Sequence, residues 1–578
     1  MSHRAVLGAV AVTMLASSAA IAGTEPYFNP LTQSTVVAPP NHFNETNSPW
    51  QTPPGISQVN LMSMAEVEAD VNQSIQRVPL AGRNASMFDM IAYGPRGRYL
   101  FIPHETPWGA GVSRYDTRTD TNKLLFAGDL GAITDPDCES DPEEPREPTK
   151  FCQWAFDFAA FDPARWTPNR TVIAAEEWSG LGRVVEILKP MGPAPADAEA
   201  AKSTNLVEGK DYRVLESIAK VAHEGINFSE KHRNKVIYFI DEWNSGSIYK
   251  LVLKRRGDYT RGGQTFVLVV DSFIPTGGDP TAFWNEGPNT TASRFGPARW
   301  VPITDRNGNP LPGITDPFRD GPTNDPRSND DTRGGRIAAD DVGGTPYGRP
   351  EDMEVGMMPN GNEVLYITTT SEAAVISVEN LRGNRARVRQ FAKEGETPKN
   401  VGFAATTGIL NSPDNLAQDA LGNIYIIEDS PNSGTTGGDI WFARDTDMDG
   451  VAESLDHFLS LQVNGSESTG MVFHPRKPTK FVVAVQHPES TNLDTTPGGF
   501  GDAVWEFDIK GVVPPPCERR KRRNDDDDDD YDDHDYGYSE GKSGMIYNWR
   551  KRRWVQACSD TDDFNFVKVL ERVGRPRY

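Results

Sequence analysis

Six segments of this sequence repeat one grammar, and that repeat constrains the fold more tightly than any other feature. Each has a turn, an apolar strand rich in β-branched or aromatic residues, a polar or acidic end, a loop usually containing glycine, and a second alternating strand. Three are Arg98–Glu105 with Gly111–Asp116, Arg170–Glu177 with Gly182–Ile187, and Lys235–Glu242 with Gly246–Leu251. The others are Glu363–Thr368 with Ala373–Val378, Asn423–Asp429 with Gly438–Phe442, and Lys480–His487 with Gly501–Phe507. Each pair reads as two strands of an antiparallel sheet, entered through hairpin-type turns such as Asn360-Gly361-Asn362. Small sheets that are apolar on both faces hide those faces by packing radially on their neighbours. The expected fold is therefore all-β, a six-bladed β-propeller with long loop insertions, the largest from Pro275 to Pro346. Helix signals are confined to Ser63–Ile75 and Ala196–Ala201, too short to organise a βαβ sheet.

Ahead of four of the repeated strands stands an acid near the start of what would be an innermost strand. These are Glu224 in Ala222–Gly225, Glu351 in Arg349–Asp352, Asp414 in Ser412–Asn415 and Glu467 in Ser466–Gly470. The innermost strand of a propeller lines its axis, so acids at equivalent positions of successive blades converge on one channel. Like charges so placed oppose each other's ionisation, and a cation bound between them is the natural remedy. Carboxylate oxygens suit calcium, and such a site also accepts a transition metal. Glu105, Glu176, Glu177 and Glu428 end strands whose loops reach the same rim, either as further ligands or as exposed acids beside turns. His104, His223 and His487 are candidate ligands or donors behind the ligands, with a structural role the commoner alternative for each. Asp445-Thr446-Asp447-Met448-Asp449-Gly450 resembles the opening of a calcium loop, with Glu453 in the ninth and Asp456 in the twelfth place. With no flanking helix pair it reads first as a polar hairpin tip.

The chain opens with Arg4, an apolar run from Ala5 to Ala20 and the small-residue site Ala20-Ile21-Ala22, which together make a secretory signal peptide over residues 1–22. No later stretch is long and apolar enough to cross a bilayer, so the expected location is periplasmic or extracellular, without a membrane partner. Cys138, Cys152, Cys517 and Cys558 suit two disulfides there, with Cys138–Cys152 and Cys517–Cys558 the local pairings among those possible. Acidic residues outnumber basic ones by 82 to 59, for a net charge of −23, which argues against nucleic acid and fits cation binding or plain solubility. Much of the excess lies in Asp525–Asp530, Asp532, Asp533 and Asp535, behind the basic run Arg519–Arg523. Such a block repels itself and cannot bury apolar surface, so residues 514–560 are expected to be a disordered loop. The resulting order is signal peptide 1–22, N-terminal extension 23–80, propeller 81–513, Asp-rich loop 514–560, and a segment 561–578 available to complete the propeller. A monomer is the default state.

Several motifs then occur together in a fixed order. They are Pro103-His104-Glu105 with Gly111–Arg114, Ala174–Glu177, Ala222–Gly225, Arg349–Asp352, Ser412–Leu416 with Gly422–Asp429, and Ser468–Gly470 with Val485–Pro488. This set resembles the PhoX-type alkaline phosphatase family through most of the chain between Arg98 and His487, and only weakly in the Asp-rich tail and the central insertion. The resemblance implies a six-bladed propeller that carries ferric iron and calcium in an axial site and hydrolyses phosphomonoesters, so its partners would be phosphorylated small molecules. It implies Glu105, Glu177, Glu224, Glu351, Asp414 and Glu467 as metal ligands and Arg349 as the phosphate-binding catalytic residue. Metals polarise phosphoryl oxygens and orient the nucleophile, while arginine offers planar donors as charge builds. A salt bridge to the neighbouring acids is the alternative role for Arg349.

This sequence departs from the family pattern at one point. The family has an iron-binding cysteine shortly before the Thr-Pro that leads into the Glu-Glu strand, whereas here Asp162 falls near that place, ahead of Thr167-Pro168. The nearest cysteine, Cys152, is well upstream. Either an insertion brings Cys152 into the role or the thiolate is absent, and a soft ligand is part of what selects iron. Two other functions suit the same features: a non-catalytic calcium-binding propeller that holds a partner with its rim loops, and another calcium-dependent propeller hydrolase such as a lactonase.

Overall fold

The computed structural model describes residues 26–37, 47–72, 75, 78–80, 83–106, 109–129, 157–177, 182–319, 334–430, 433, 435–486, 488, 492–493, 498–512, 545–548 and 553–556. The signal peptide, the four cysteines, His487, Asp525–Asp535 and residues 561–578 lie outside them.

The repeated segments form the strands expected of them, and each pair is antiparallel. With an inner and an outer strand added, they make six four-stranded units, numbered here as blades 1 to 6 in chain order. Their innermost strands are Ala92–Tyr93, Phe161–Trp166, Ile226–Phe228, Pro350–Met357, Pro413–Gln418 and Glu467–Phe473. These strands hand on from blade to blade through cross-bonds. Ala164 N–H donates to the Met90 carbonyl at 2.9 Å, and Asn227 Nδ2 to the Met353 carbonyl at 3.2 Å. Leu416 N–H donates to Asp352 Oδ2 at 3.0 Å, and Ser468 Oγ to the Glu428 carbonyl at 2.9 Å. Thr469 Oγ1 closes the circle on the Phe88 carbonyl at 3.0 Å. At this closure a side chain on Gly470 would meet the Met90 backbone at 2.5 Å, so only glycine fits. The protein is an all-β propeller, with apolar residues such as Phe239, Leu365, Ile426 and Val483 filling the spaces between blades.

Four parts differ from the sequence reading. The stretch expected as an N-terminal extension supplies sheet strands: Ser57–Ser63 pairs with Ala503–Asp508 as the outermost strand of blade 6, and Trp50–Gln51 pairs with Ser460 and Leu461 of blade 5. The insertion expected as a loop contains Gly296–Pro302, which pairs with both Gly263–Val270 and Arg385–Lys393 and so joins blades 3 and 4 along their outer edges. Covering two open edges with one strand removes two templates for unwanted pairing. Within the stretch expected as a disordered loop, Met545–Asn548 pairs with Arg553–Gln556. Helix α1 covers Met64–Val71, capped by Ser63, whose Oγ accepts from the Glu66 N–H. Ala196–Ala201 forms turns instead of a helix, being too short to recover the cost of nucleation. A second helix, α2, spans Gly334–Asp341 within the insertion.

Blades 3 and 4 are also tied through the buried Glu363 carboxylate, which accepts from Ser229 Oγ at 2.8 Å, Lys231 N–H at 3.0 Å and Tyr238 OH at 2.7 Å. Replacing Glu363 with Ala strands these donors together. It is expected to lower the unfolding free energy by about 3 kcal/mol in chemical denaturation.

Candidate metal centre

The acids reach the axis by a local device that recurs from blade to blade. Two residues ahead of Asp89, Asp162, Glu351 and Asp414 stand Met87, Ala160, Arg349 and Ser412, with φ of 49°, 45°, 50° and 44°. Left-handed backbone is costly for residues with a side chain, and its repetition at one position marks a functional constraint. Gly465 holds the same place before Glu467, with φ 60°. The inner strands of blades 2, 4, 5 and 6 also slip register beside the acid, between Ala174 and Glu176 opposite Asp162, between Pro350 and Met353, between Pro413 and Asn415, and between Ser468 and Met471. A bulge at that place re-aims a side chain that a regular pleat would direct elsewhere. Glu224 arrives differently: Gly225 follows it, and a side chain there would approach the Glu351 carbonyl to 2.6 Å, so blades 3 and 4 meet closely at the acids.

Each strand turn ahead of an acid also anchors a second tier. The N–H groups of Glu105, Glu177, Glu242, Thr370 and Asp429 donate to the carbonyls of Met87, Ala160, Ala222, Arg349 and Ser412 at 2.8–3.0 Å. Every bond joins the end of a blade's second strand to the residue two places before an inner acid. The centre therefore has an inner tier of Asp89, Asp162, Glu224, Glu351, Asp414 and Glu467, and an outer tier of Glu105, Glu177, Glu242, Thr370 and Asp429.

Two groups of three stand out. Carboxylate oxygens of Glu224, Glu351 and Asp414 lie within 4.8 Å of one another, as do those of Asp89, Glu105 and Asp162, and all six residues are buried. Burial raises Glu224 well above the usual carboxylate range, with Glu351, Asp414 and Asp162 adding to it. Asp89 and Asp162 are raised in the same way by burial, then by one or more of each other, Glu105 and Asp414. Asp414 is raised by burial and by Asp429 and Glu351, and Glu177 by burial and by Glu105 and Glu242. The two groups thus share one field. Buried oxygens at Asp89 Oδ1, Asp162 Oδ1, Glu177 Oε2, Glu224 Oε2 and both oxygens of Glu351 receive no hydrogen bond. Buried oxygens of this kind are satisfied by a cation, so the residues fit a bound metal.

Among the described residues, Arg349 enters the site beside its acids, while the partly buried Arg165 pairs with Asp352 next to Glu351. Arg349 Nε is paired with Glu242 Oε1 and lies 3.2 Å from Glu351 Oε1. The arginine's pKa is raised by Glu351 and Glu242, so the guanidinium stays charged. Its side chain remains 38% exposed.

Of the residues selected from sequence, Glu105, Glu224, Glu351 and Asp414 fall within the two groups, and Glu177 lies against Glu105. Glu467 is half-buried and outside both, with Oε2 accepting from Gln486 Nε2 at 3.1 Å. Glu176 and Glu428, offered as further ligands, are instead structural. Glu176 holds Arg183 by two nitrogens and caps the N–H groups of Ala159 and Arg183, while Glu428 accepts from Asn411 N–H, Asp439 N–H and Trp441 Nε1. His104 bonds Ser113 Oγ at 2.7 Å, and burial depresses it to about 3, so it is a neutral core group. His223 is buried against the Phe239 ring. Asp445, Asp447 and Glu453 do cluster at a partly exposed hairpin tip, but Asp456 sits on the following strand, paired with Arg444 at 3.0 Å. Sequence reasoning did not place Asp89, Glu242 or Asp429 in the site, and it weighed Asp162 only as a replacement for a cysteine. The turn–acid spacing shared with the recognised acids was the signal for Asp89 and Asp162, and an acid ending a repeated strand was the signal for Glu242 and Asp429.

The strands define the class: an all-β propeller on whose axis buried carboxylates from successive blades converge. Residues 211–489 match the family model described as alkaline phosphatase PhoX, so the resemblance carried by the motifs holds. No curated protein sequence matches the chain. Among solved structures, PhoX from Pseudomonas fluorescens in complex with vanadate superposes with a TM-score of 0.50 at 13% identity, covering 84% of this chain and 98% of that one. That likeness shows the propeller fold. Regucalcin from Agrobacterium tumefaciens, a calcium-binding protein, gives a TM-score of 0.33 at 9% identity over 74% of this chain and 92% of its own.

Proposed function

We propose that this protein is an exported, metal-dependent phosphomonoesterase that works at the axial carboxylates. The observation carrying this reading is the placement of Arg349 beside the Glu224–Glu351–Asp414 group, where a charged donor adjoins buried acids with oxygens that receive no hydrogen bond. Glu224, Glu351 and Asp414 would hold a cation, and Glu105, Glu177 and Glu467 would add oxygens around it. The match of residues 211–489 to the PhoX family supports the reaction class. A bound cation supplies a Lewis acid for a phosphoryl oxygen and a water of lowered pKa. Glu242 and Glu351 fix Arg349 through Nε, which leaves the two Nη groups to donate to the equatorial oxygens of a phosphate monoester. Stabilising those oxygens as charge redistributes is the step the chain's own residues perform.

The test is phosphate release from an aryl phosphate by purified protein, before and after treatment with a chelator and after return of calcium and iron. Release that is lost with chelator and restored with metal supports the proposal, and no release in any metal-loaded form rejects it. Arg349→Lys keeps the charge but loses the planar fork. It is expected to lower kcat/KM about 100-fold in the same assay.

A further inference from the structure

We infer that a basic groove between blades 2 and 3, at the end of the propeller opposite the axial acids, binds a linear polymer of phosphate groups. The groove lies outside the axial centre, and its role does not depend on the reaction proposed there. Asp162 stands at the start of the innermost strand of blade 2 and Glu177 follows the second strand, so both lie at one end of that blade. The turn carrying Asn169, between those strands, lies at the other end. Lys189 and Arg213 reach that same end because Ile187 pairs with both Val172 and Tyr212. In blade 3 the strand Ile248–Leu253 runs away from Glu242 and delivers Arg255 and Arg256 beside the turn. Two adjoining hollows result, of about 280 and 560 Å³, which share Asn169, Glu186 and Arg213. Arg255 and Arg256 line the first, Lys189 and Lys210 the second.

Side chains from both blades fix the walls. Asn169 Nδ2 donates to the Gly257 carbonyl at 2.7 Å and Asn234 Nδ2 donates to Asn169 Oδ1 at 2.8 Å, which ties the turn of blade 2 to the hairpin of blade 3. Arg213 stands directly across from Glu186 on paired strands, and the Glu186 carboxylate, 1% exposed, holds its Nε at 2.8 Å. Thr171 Oγ1 donates to the other oxygen of Glu186 at 2.6 Å. Held at Nε, Arg213 keeps two Nη groups for a ligand, and neither has a partner among the described residues. Lys189, Lys210, Arg255 and Arg256 are exposed and make no ion pair among the described residues. Five cationic side chains thus line the groove with two acids, Glu186 and Asp258, and the first of these is already paired with Arg213. In a chain of net charge −23 this concentration is not what solubility requires, and it sets a local field that attracts anions. Arginine's planar fork suits phosphate oxygens. A lone anion would be satisfied by one hollow, whereas two basic groups in series, bridged by Arg213, suit successive phosphates of one chain. Tyr259, the aromatic residue of the lining, is 2% exposed and offers no face for a base, so the groove fits the phosphate chain itself and not a single-stranded nucleic acid.

The experiment uses the whole metal-loaded protein and a fluorescently labelled polyphosphate, with affinity read by anisotropy over a series of salt concentrations. Arg255→Gln with Arg256→Gln, and separately Lys189→Gln with Lys210→Gln, are each expected to weaken binding about tenfold or more and to lower the slope of log affinity against log salt by roughly 1 to 2. All four side chains are exposed, so both double variants should melt with the parent, and their release of phosphate from an aryl phosphate should match it. Affinity that survives both double substitutions overturns the inference. Displacement of the probe by an aryl phosphate, or its loss in Arg349→Lys, also overturns it, since either places the polymer at the axial centre. Single-stranded DNA or a sulfated polysaccharide bound more tightly than polyphosphate overturns it too. Polyphosphate binding that meets these expectations in a protein without phosphatase activity would reject the proposed reaction and leave the groove standing.

Discussion

Glu351→Gln is expected to reduce kcat/KM for an aryl phosphate by about a thousandfold or more, the range found when a central electrostatic group of an active site is removed. Glu351 is completely buried, its two oxygens receive no hydrogen bond, and it is the residue that belongs both to the Glu224–Glu351–Asp414 group and to the Arg349 ion pair. The amide keeps the volume but removes one anionic ligand and places donors where a cation would sit. It also leaves Arg349 with Glu242 alone, so the guanidinium loses half of what orients it. Steady-state kinetics with bound metal measured alongside checks this. A variant retaining more than a tenth of parental kcat/KM would remove Glu351 from the centre of the mechanism.

The second large effect is a reversal of the pH dependence of stability when metal is removed. Burial, moderated by Arg349, raises Glu242 from the usual 4.5 to about 7, and burial raises Glu354, near Arg165, to about 8. Asp89, Asp162, Glu224 and Asp414 move the same way. A carboxyl whose pKa is higher folded than unfolded binds its proton more tightly in the folded state. Its contribution to stability is complete below the unfolded value and is lost as pH rises through the folded one. The metal-free protein should therefore lose stability steadily between about pH 4.5 and 8, opposite to the rise seen when acids are salt-bridged. Saturating calcium, which favours the ionised acids, should remove or reverse the trend. Urea midpoints of chelated and calcium-loaded protein at pH 5 and pH 8 decide it. A chelated protein more stable at pH 8 would show that the acids are neutralised by something other than metal.

The blades were legible because their middle strands are continuous apolar runs that end in an acid, as in Lys235–Glu242 and Asn423–Asp429. Four inner acids were legible because the turns before them precede strands with ordinary signals. Asp89 was not, since its inner strand is only Ala92–Tyr93 and carries no period. Asp162 precedes Pro163, a residue that argues against a strand except at a bulge, and a bulge is what stands there. The strand Ser57–Ser63 was missed because only its last two residues, Met62 and Ser63, are fully buried, which leaves no clear alternation. The strand Gly296–Pro302 begins and ends beside prolines, which read as loop. The tertiary partner, absent from any local window, decided both strands.

The pairing of Ser57–Ser63 with Ala503–Asp508 sets the order in which this molecule can assemble. Blade 6 is incomplete until the two ends of the propeller meet, so the largest loop in the chain must close before the circle does. Contacts of such sequence separation make folding slow, and they place the last step at the seam between blades 6 and 1. Asp89, Gln486 and Glu467 stand on that seam. The hydrogen bond from Gln486 to Asp89 forms only when the chain is fully assembled, so it latches the closed ring across its last seam.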